Sequence, residues 1–185
     1  MKVKLAFSVF LFGVIFFSCK EEESLPKPKA MLRLEYDKPP MKAVETAFFD
    51  FEYNGLADIK VKNGSAVAIH YPDMKASIFM SHRKVKKDIQ NLIIDAQKLS
   101  YEHAAKADGI RPRAYEDVSN KVYGAFFEVS GDAASQAQFY VTDSINHFVT
   151  GSLYFEARPN YDSIYPAAVY LQQDMGRIME TIRWK

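Results

Sequence analysis

Short segments in which apolar and polar residues alternate fill the chain between residues 47 and 82. They are separated by residues that favour turns, such as Asn54-Gly55 and Pro72-Asp73. Because a period of two places alternate side chains on one face of a sheet, these segments are predicted to form an antiparallel meander. The predicted strands cover residues 47–53, 58–62, 65–71 and 75–82.

After Asp88 the apolar residues recur at spacings of three and four, which indicates an amphipathic helix. Asp88 is its predicted N-cap, and Gly109 is the residue at which we expect the helix to stop. The buried stripe of this helix is predicted to consist of Ile89, Leu92, Ile93, Ala96 and Leu99.

The second half of the chain is predicted to contain strands at residues 121–130, 135–142 and 147–156. The last of these strands has apolar residues at both its odd-numbered and its even-numbered positions, so both of its faces are apolar. We therefore expect it to lie in the middle of the sheet. A final helix is predicted from Asp162 or Ser163 to Trp184, with Pro166 in its first turn. The pattern predicts the α+β class, with one antiparallel sheet of about six to seven strands covered by two main helices.

The N-terminal segment has the layout of a secretory signal that ends at Cys19, the only cysteine of the chain. Lys2 and Lys4 precede an apolar run over residues 5–17, and the small residue Ser18 stands directly before the cysteine. We therefore predict that residues 1–18 are a lipoprotein signal peptide. Cys19 would carry a diacylglyceryl group with palmitate-type chains. The alternative is an uncleaved N-terminal helix with an incidental cysteine.

A tether is predicted to join this anchor, over residues 19–30, to a single globular domain at residues 31–185. Pro26 and Pro28 stand in a charged segment with little apolar content, which favours an extended spacer. The acidic run Glu21 to Glu23 is interpreted either as solvated charge or as a surface-export signal.

The charge balance argues against binding to nucleic acid. Of the 24 basic side chains, Lys2 and Lys4 belong to the predicted signal, which leaves 22 against 23 acidic groups. A chain so near neutrality has no basic footprint for nucleic acid or for an anionic membrane surface.

No motif in the sequence predicts catalysis, a cofactor or a metal site. It contains no G-x-S-x-G elbow, no glycine-rich phosphate loop, no H-E-x-x-H and no paired C-x-x-C. The histidines are widely spaced, although His70 and His82 could meet across neighbouring strands. We therefore predict no catalytic residue, no cofactor and no metal ligand.

Two stretches are richer in polar and aromatic side chains than a scaffold requires. Residues 99–110 include His103 and Asp108, and residues 157–163 include Tyr161 and Asp162. The simplest interpretation is that residues 99–110 are the capped end of one helix and that residues 157–163 lead into the next helix, with Asp162 as its cap. The functional interpretation is a partner-binding patch formed by His103, Asp108, Tyr161 and Asp162. A cleft between His103, Asp108 and Tyr161 would instead suit a periplasmic small-ligand-binding domain or a hydrolase.

Several stretches, among them DAQKLSYEHAAKADGI, ASQAQFYVTDSINHF and MGRIMETIRWK, resemble the gliding-motility lipoprotein GldD family of Bacteroidetes. The resemblance covers residues 27–185 and is densest from Asp95 onward. Members of that family tend to carry a cysteine pair in the N-terminal half, and this chain has none there. Only the lipidated Cys19 is carried over from the family.

The resemblance implies a lipid-anchored accessory or structural component of the gliding-motility and type IX secretion apparatus. Such a component would bind other envelope proteins rather than act as an enzyme, and it would lie at a membrane of the cell envelope. The order of elements is also similar to the Mog1/PsbP type of fold. The direct partner, the choice between inner and outer membrane, and the oligomeric state stay open.

Overall fold

Two antiparallel sheets and two long helices make up the fold, which confirms the predicted α+β class. The protein is described by a computed structural model over residues 36, 38–102, 106–156 and 160–185, and these residues lie in one compact unit. The helices are α1 (Ile89–Tyr101) and α2 (Tyr161–Thr181). The strands are β1 (Met41–Glu45), β2 (Phe49–Asn54), β3 (Asp58–Lys62), β4 (Ala66–Tyr71), β5 (Ala76–Lys84), β6 (Ala107–Asp117), β7 (Val122–Gly131), β8 (Ser135–Thr142), β9 (His147–Phe155) and β10 (Arg183–Trp184).

The larger sheet has seven strands in the order β3-β4-β5-β9-β8-β7-β6, and every neighbouring pair is antiparallel. β9 is the fourth of these seven strands, so the prediction of a central strand from its two-sided apolar pattern is confirmed. Its neighbour β8 is buried at all eight positions. The smaller sheet has the order β1-β2-β10.

The larger sheet is covered on both faces. On one face, α2 and β2 enclose the main core, in which Phe49, Ile78, Leu153, Leu171 and Ile178 are fully buried. On the other face, α1 packs through Leu92 over a smaller cluster. That cluster includes Phe127 from β7, Tyr140 from β8 and Phe148 from β9. The two clusters together cover β8 on both of its faces.

The predicted meander is correct for β3, β4 and β5, but β2 belongs to the other sheet. β2 pairs with β1 and β10, so the Asn54-Gly55 turn leads from one sheet to the other. One tertiary and one local hydrogen bond hold this turn: the Gly55 amide donates to the Pro40 carbonyl, and within the turn the buried Asn54 side chain accepts from the Leu56 amide. The local turn signal was right, but the pairing inferred from it was wrong.

Three strands were not predicted, and both helices have shifted ends. α1 ends at Tyr101, and Gly109 lies in the edge strand β6 rather than at a helix stop. α2 begins at Tyr161 with Asn160 as its N-cap, so Asp162 is in the first turn and is not the cap. Pro166 consequently lies in the second turn. The helix also ends before Trp184, because β10 pairs with β2. Most residues of β1, β6 and β10 are exposed or only half-buried, so these strands lack a clear alternation of apolar and polar residues.

A buried carboxylate fastens α2 to the smaller sheet. Asp174 is only 2% exposed, and its Oδ2 accepts a hydrogen bond from Asn54 Nδ2, at the end of β2, over 2.6 Å. Asn54 Nδ2 also lies 3.0 Å from the Tyr170 hydroxyl, and Arg177 Nη1 lies 3.6 Å from Asp174 Oδ1. Burial raises the pKa of Asp174, while Asn54, Arg177 and Tyr71 favour its charged form. Burial, followed by the nearby Asp174 charge, raises the pKa of Tyr71 at the end of β4.

Replacing Asp174 with alanine is expected to lower the free energy of unfolding by about 1–3 kcal/mol, because Asn54 and Tyr71 would remain buried without the carboxylate. Urea denaturation followed by circular dichroism measures the effect. Gln173→Ala is the matched control, since Gln173 is the exposed neighbour on the same helix. Equal stability of the two variants would contradict the role given to Asp174.

Candidate functional site

A concave surface lies between α2 and the hairpin of β6 and β7. This α2 groove has a volume of about 900 Å³. Its β6–β7 side is lined by Arg111, Arg113 and Glu128, and its α2 side includes Tyr161, Tyr165 and Gln173. The lining is therefore polar and charged, with aromatic rings at the start of α2.

The cations on the β6–β7 side are paired loosely. Arg111 Nη1 lies 3.6 Å and Arg113 Nη2 3.7 Å from the Glu128 carboxylate. The Arg113 guanidinium also lies 5.4 Å from the centre of the Phe126 ring, and the Arg111 side chain is 85% exposed. Exposed ion pairs of this kind contribute at most about 1 kcal/mol each. Both guanidinium groups can therefore exchange Glu128 for an incoming carboxylate at little cost.

The tyrosines at the start of α2 are positioned by a contact from the turn after β7. Asp132 Oδ1 accepts a 2.8 Å hydrogen bond from the Tyr161 amide, which satisfies one of the free N–H groups of the first turn. The rings of Tyr161 and Tyr165 meet edge to face at 5.5 Å. Burial, followed by Tyr165, Asp108 and Glu128, raises the pKa of Tyr161. Its hydroxyl group therefore remains a hydrogen-bond donor at neutral pH.

The structure describes three of the four residues of the predicted patch. Tyr161 lines the α2 groove, whereas Asp108 lies beside Gly131, next to the Asp132 that bonds to the Tyr161 amide. Asp162 is in the first turn of α2, where its negative charge suits the helix dipole. His103 and Cys19 lie outside the described residues, so the patch, and the cleft between His103, Asp108 and Tyr161, stay predictions.

The groove residues that the sequence did not single out are Arg111, Arg113, Glu128, Tyr165 and Arg177. The arginines were missed because β6 was not recognised as a strand. Its alternation is nevertheless visible: Ile110 packs under α1, while Tyr115 packs against the main core on the α2 side. A period-two pattern over residues 110–115 could have placed both arginines on that same side.

The histidine pair that the structure forms differs from the predicted one. His82 Nε2 lies 3.0 Å from His147 Nδ1, whereas His70 Nδ1 lies 2.9 Å from the Ser77 hydroxyl. His82 stacks on Phe48 and His147 stacks on Trp184, so the pair helps to join the two sheets. Within the described ranges, no group of three or more His, Cys, Asp or Glu side chains is placed to hold a metal ion.

Burial and the neighbouring His147 lower the pKa of His82 to about 4, against a smaller opposing effect of Asp143. In the unfolded chain, His82 has its ordinary pKa of 6.5 and therefore takes up a proton at a higher pH than it does in the folded protein. The contribution of neutral His82 to stability is complete above about pH 6.5 and is lost progressively toward pH 4.

We expect His82→Gln to lose less stability than the parent chain between pH 6.5 and pH 4. The measurement is the free energy of unfolding at a series of pH values, with His70→Gln as the control variant. Parallel curves for His82→Gln and the parent chain would show that His82 does not titrate as described.

The fold and this site together define an α+β domain that presents an open, charged groove beside its longest helix. In the part of the chain that the structure describes, no helix is both long and apolar enough to cross a membrane.

The family model described as gliding motility lipoprotein GldD matches residues 21–184, and the chain belongs to that family. The predicted membership is thereby confirmed. It makes the protein a lipoprotein component of gliding motility, anchored to a membrane of the cell envelope. No curated protein matches the chain.

Proposed function

We propose that this protein is a non-enzymatic accessory component of the gliding apparatus and of the linked type IX secretion system. It acts by binding another envelope protein in the α2 groove. Membership of the GldD family supports the link to motility. The observation that carries the binding proposal is the groove itself, with its loosely paired arginines beside two tyrosines.

The lining of the groove suits a protein segment better than a small molecule. Sites for small molecules are mostly apolar and enclose most of the ligand, whereas Arg111 and Arg113 are largely exposed to solvent. Tyrosine and arginine are the side chains most enriched where partner proteins gain binding energy. An extended segment with carboxylates would meet the guanidinium groups, and its apolar side chains would meet Tyr161 and Tyr165.

The groove can be blocked with little disturbance of the fold, because Gly176 lines it. A Cβ atom added to Gly176 would meet no other atom within 4 Å, and glycine inside a helix costs about 1 kcal/mol relative to alanine. Gly176→Phe should therefore fill the groove, and Gly176→Ala is its matched control.

In a deletion strain, we expect the parent gene and Gly176→Ala to restore spreading and secretion, and Gly176→Phe to fail in both. Thermal unfolding of the purified variants checks that Gly176→Phe is folded. A crosslinking pull-down then asks whether Gly176→Phe has lost a protein that Gly176→Ala retains. Normal spreading with Gly176→Phe would refute the groove as the working site.

The small-ligand-binding or hydrolase alternative uses the same groove. The observation that favours it is that Asp108 lies beside Gly131, one residue before the Asp132 that bonds to the Tyr161 amide. It predicts a different result in the same experiment. Under this alternative, Gly176→Phe would abolish spreading while the crosslinked partners remained unchanged.

We also propose that Cys19 carries the lipid anchor. Cys19→Ala is expected to move the protein from the membrane fraction to the soluble fraction, because the acyl chains that supply membrane affinity would be missing. Fractionation followed by immunoblotting measures this, with Gly176→Ala as a folded control. Unchanged membrane association of Cys19→Ala would contradict lipidation at this residue.

A further inference from the structure

The face of the larger sheet opposite α2 is only partly covered. The cluster beneath α1 draws its sheet residues from β7, β8 and β9, through Phe127, Tyr140 and Phe148. On β5, in contrast, Phe79 is 46% exposed. The half of this face formed by β3, β4, β5 and the neighbouring part of β9 is therefore accessible to a partner.

We call this half the sheet shelf and define it by the strand register. In one row across the sheet, Lys60 pairs with Ala68, Ala68 with Phe79, and Phe79 with Ser152. The rows on either side place the following residues on the same face: Asp58, His70, Ser77 and Tyr154, and Lys62, Ala66, Ser81 and Thr150.

The floor of the sheet shelf is flat and carries one prominent aromatic group. Most of its central positions are alanine or serine, so backbone and small side chains form a level surface. Phe79 stands between His70 and Tyr154, with ring centres 6.2 Å and 6.1 Å away. A level surface with a central aromatic side chain is suited to binding the apolar side of a helix.

The dimensions of the sheet shelf fit one helix. Four adjacent strands at about 4.8 Å spacing span roughly 14 Å, and a helix with its side chains is about 10–12 Å wide. A trough of about 410 Å³ runs between α1 and the shelf, with Ser81, Arg83 and Thr150 on the sheet side. A second helix can therefore lie beside α1 on the same sheet.

The charges around the sheet shelf determine which helix would fit. Lys60 and Lys62 are exposed on the edge strand β3, and Arg83 is exposed on the same face of β5 as Phe79. Lys60 and Lys62 outnumber Asp58 on β3, whereas Arg83 lies beside the trough. Across the trough, the α1 wall carries Asp95, Lys98 and Glu102. The side of a bound helix that faces β3 should therefore be acidic.

We propose that the sheet shelf binds an amphipathic helix of a second envelope protein. The apolar stripe of that helix would cover Phe79 and Tyr154, and its acidic flank would face Lys60 and Lys62. This surface lies on the face of the larger sheet opposite the α2 groove, so the protein would connect two partners. The inference stands apart from the proposed function, because it uses none of the groove residues.

The test is site-specific photocrosslinking in intact cells with the full-length lipoprotein. A photoreactive amino acid replaces Phe79 in one strain and Ile145 in the control strain, since Ile145 is 68% exposed in the turn between β8 and β9. Mass spectrometry identifies the crosslinked peptide. We expect position 79 to label a partner segment with apolar residues at helical spacing and acidic residues along one side, and position 145 not to label it.

Charge reversal makes the test specific for the proposed recognition. Lys60→Glu combined with Lys62→Glu should reduce crosslinking at position 79 by roughly tenfold, because like charges would face each other. Replacing the acidic residues of the labelled segment with lysine should restore it. Unchanged thermal unfolding of the double variant shows that the fold is intact.

Four results would overturn the proposal. They are labelling of a second copy of this chain at position 79, labelling of lipid alone, no more product than at position 145, and equal labelling of the target after charge reversal. Loss of spreading with Gly176→Phe bears only on the α2 groove, so failure of one proposal is distinguishable from failure of the other.

Discussion

The buried carboxylate of Asp174 is the interaction on which the arrangement of this protein depends. It accepts a hydrogen bond from Asn54 of the smaller sheet, so α2 is held against that sheet, and its charge also acts on Tyr71 of the larger sheet. Its neighbour Arg177 also lines the α2 groove. A carboxylate in this position requires partners, because an unpaired buried charge is strongly destabilising. The same contact that completes the core thus sets the position of the helix that forms one wall of the groove.

The larger sheet separates two different surfaces. On the α2 side, β6 extends beyond the main core and presents Arg111 and Arg113 next to the tyrosines of α2. On the α1 side, a single helix covers the strands around β8, and Phe79 stands exposed on the remainder. The proposed accessory role requires surfaces of this kind, since it assigns to the tethered domain the task of holding other proteins in place. The proposed anchor at Cys19 would keep both surfaces near the membrane.

Patterns that depend on local spacing were sufficient for much of the fold. The two-sided apolar pattern placed β9 at the centre of the sheet, and the limits of β3 agree with those predicted. The sheet to which β2 belongs could not be predicted, because it is set by contacts such as that between Asn54 and Asp174, 120 residues apart. Tyr161 could be found as part of a polar loop before a helix. The groove arginines were missed because the alternation over residues 110–115 was not recognised as a strand.

Contact between the α2 groove and a partner protein is tested most directly by amide hydrogen exchange, which compares the lipoprotein in its native envelope assembly with the purified protein. We predict slower exchange in the partner-bound state over β6, the adjoining part of β7 and the groove side of α2. Unchanged exchange in these segments, with protection confined to other parts of the chain, would contradict it.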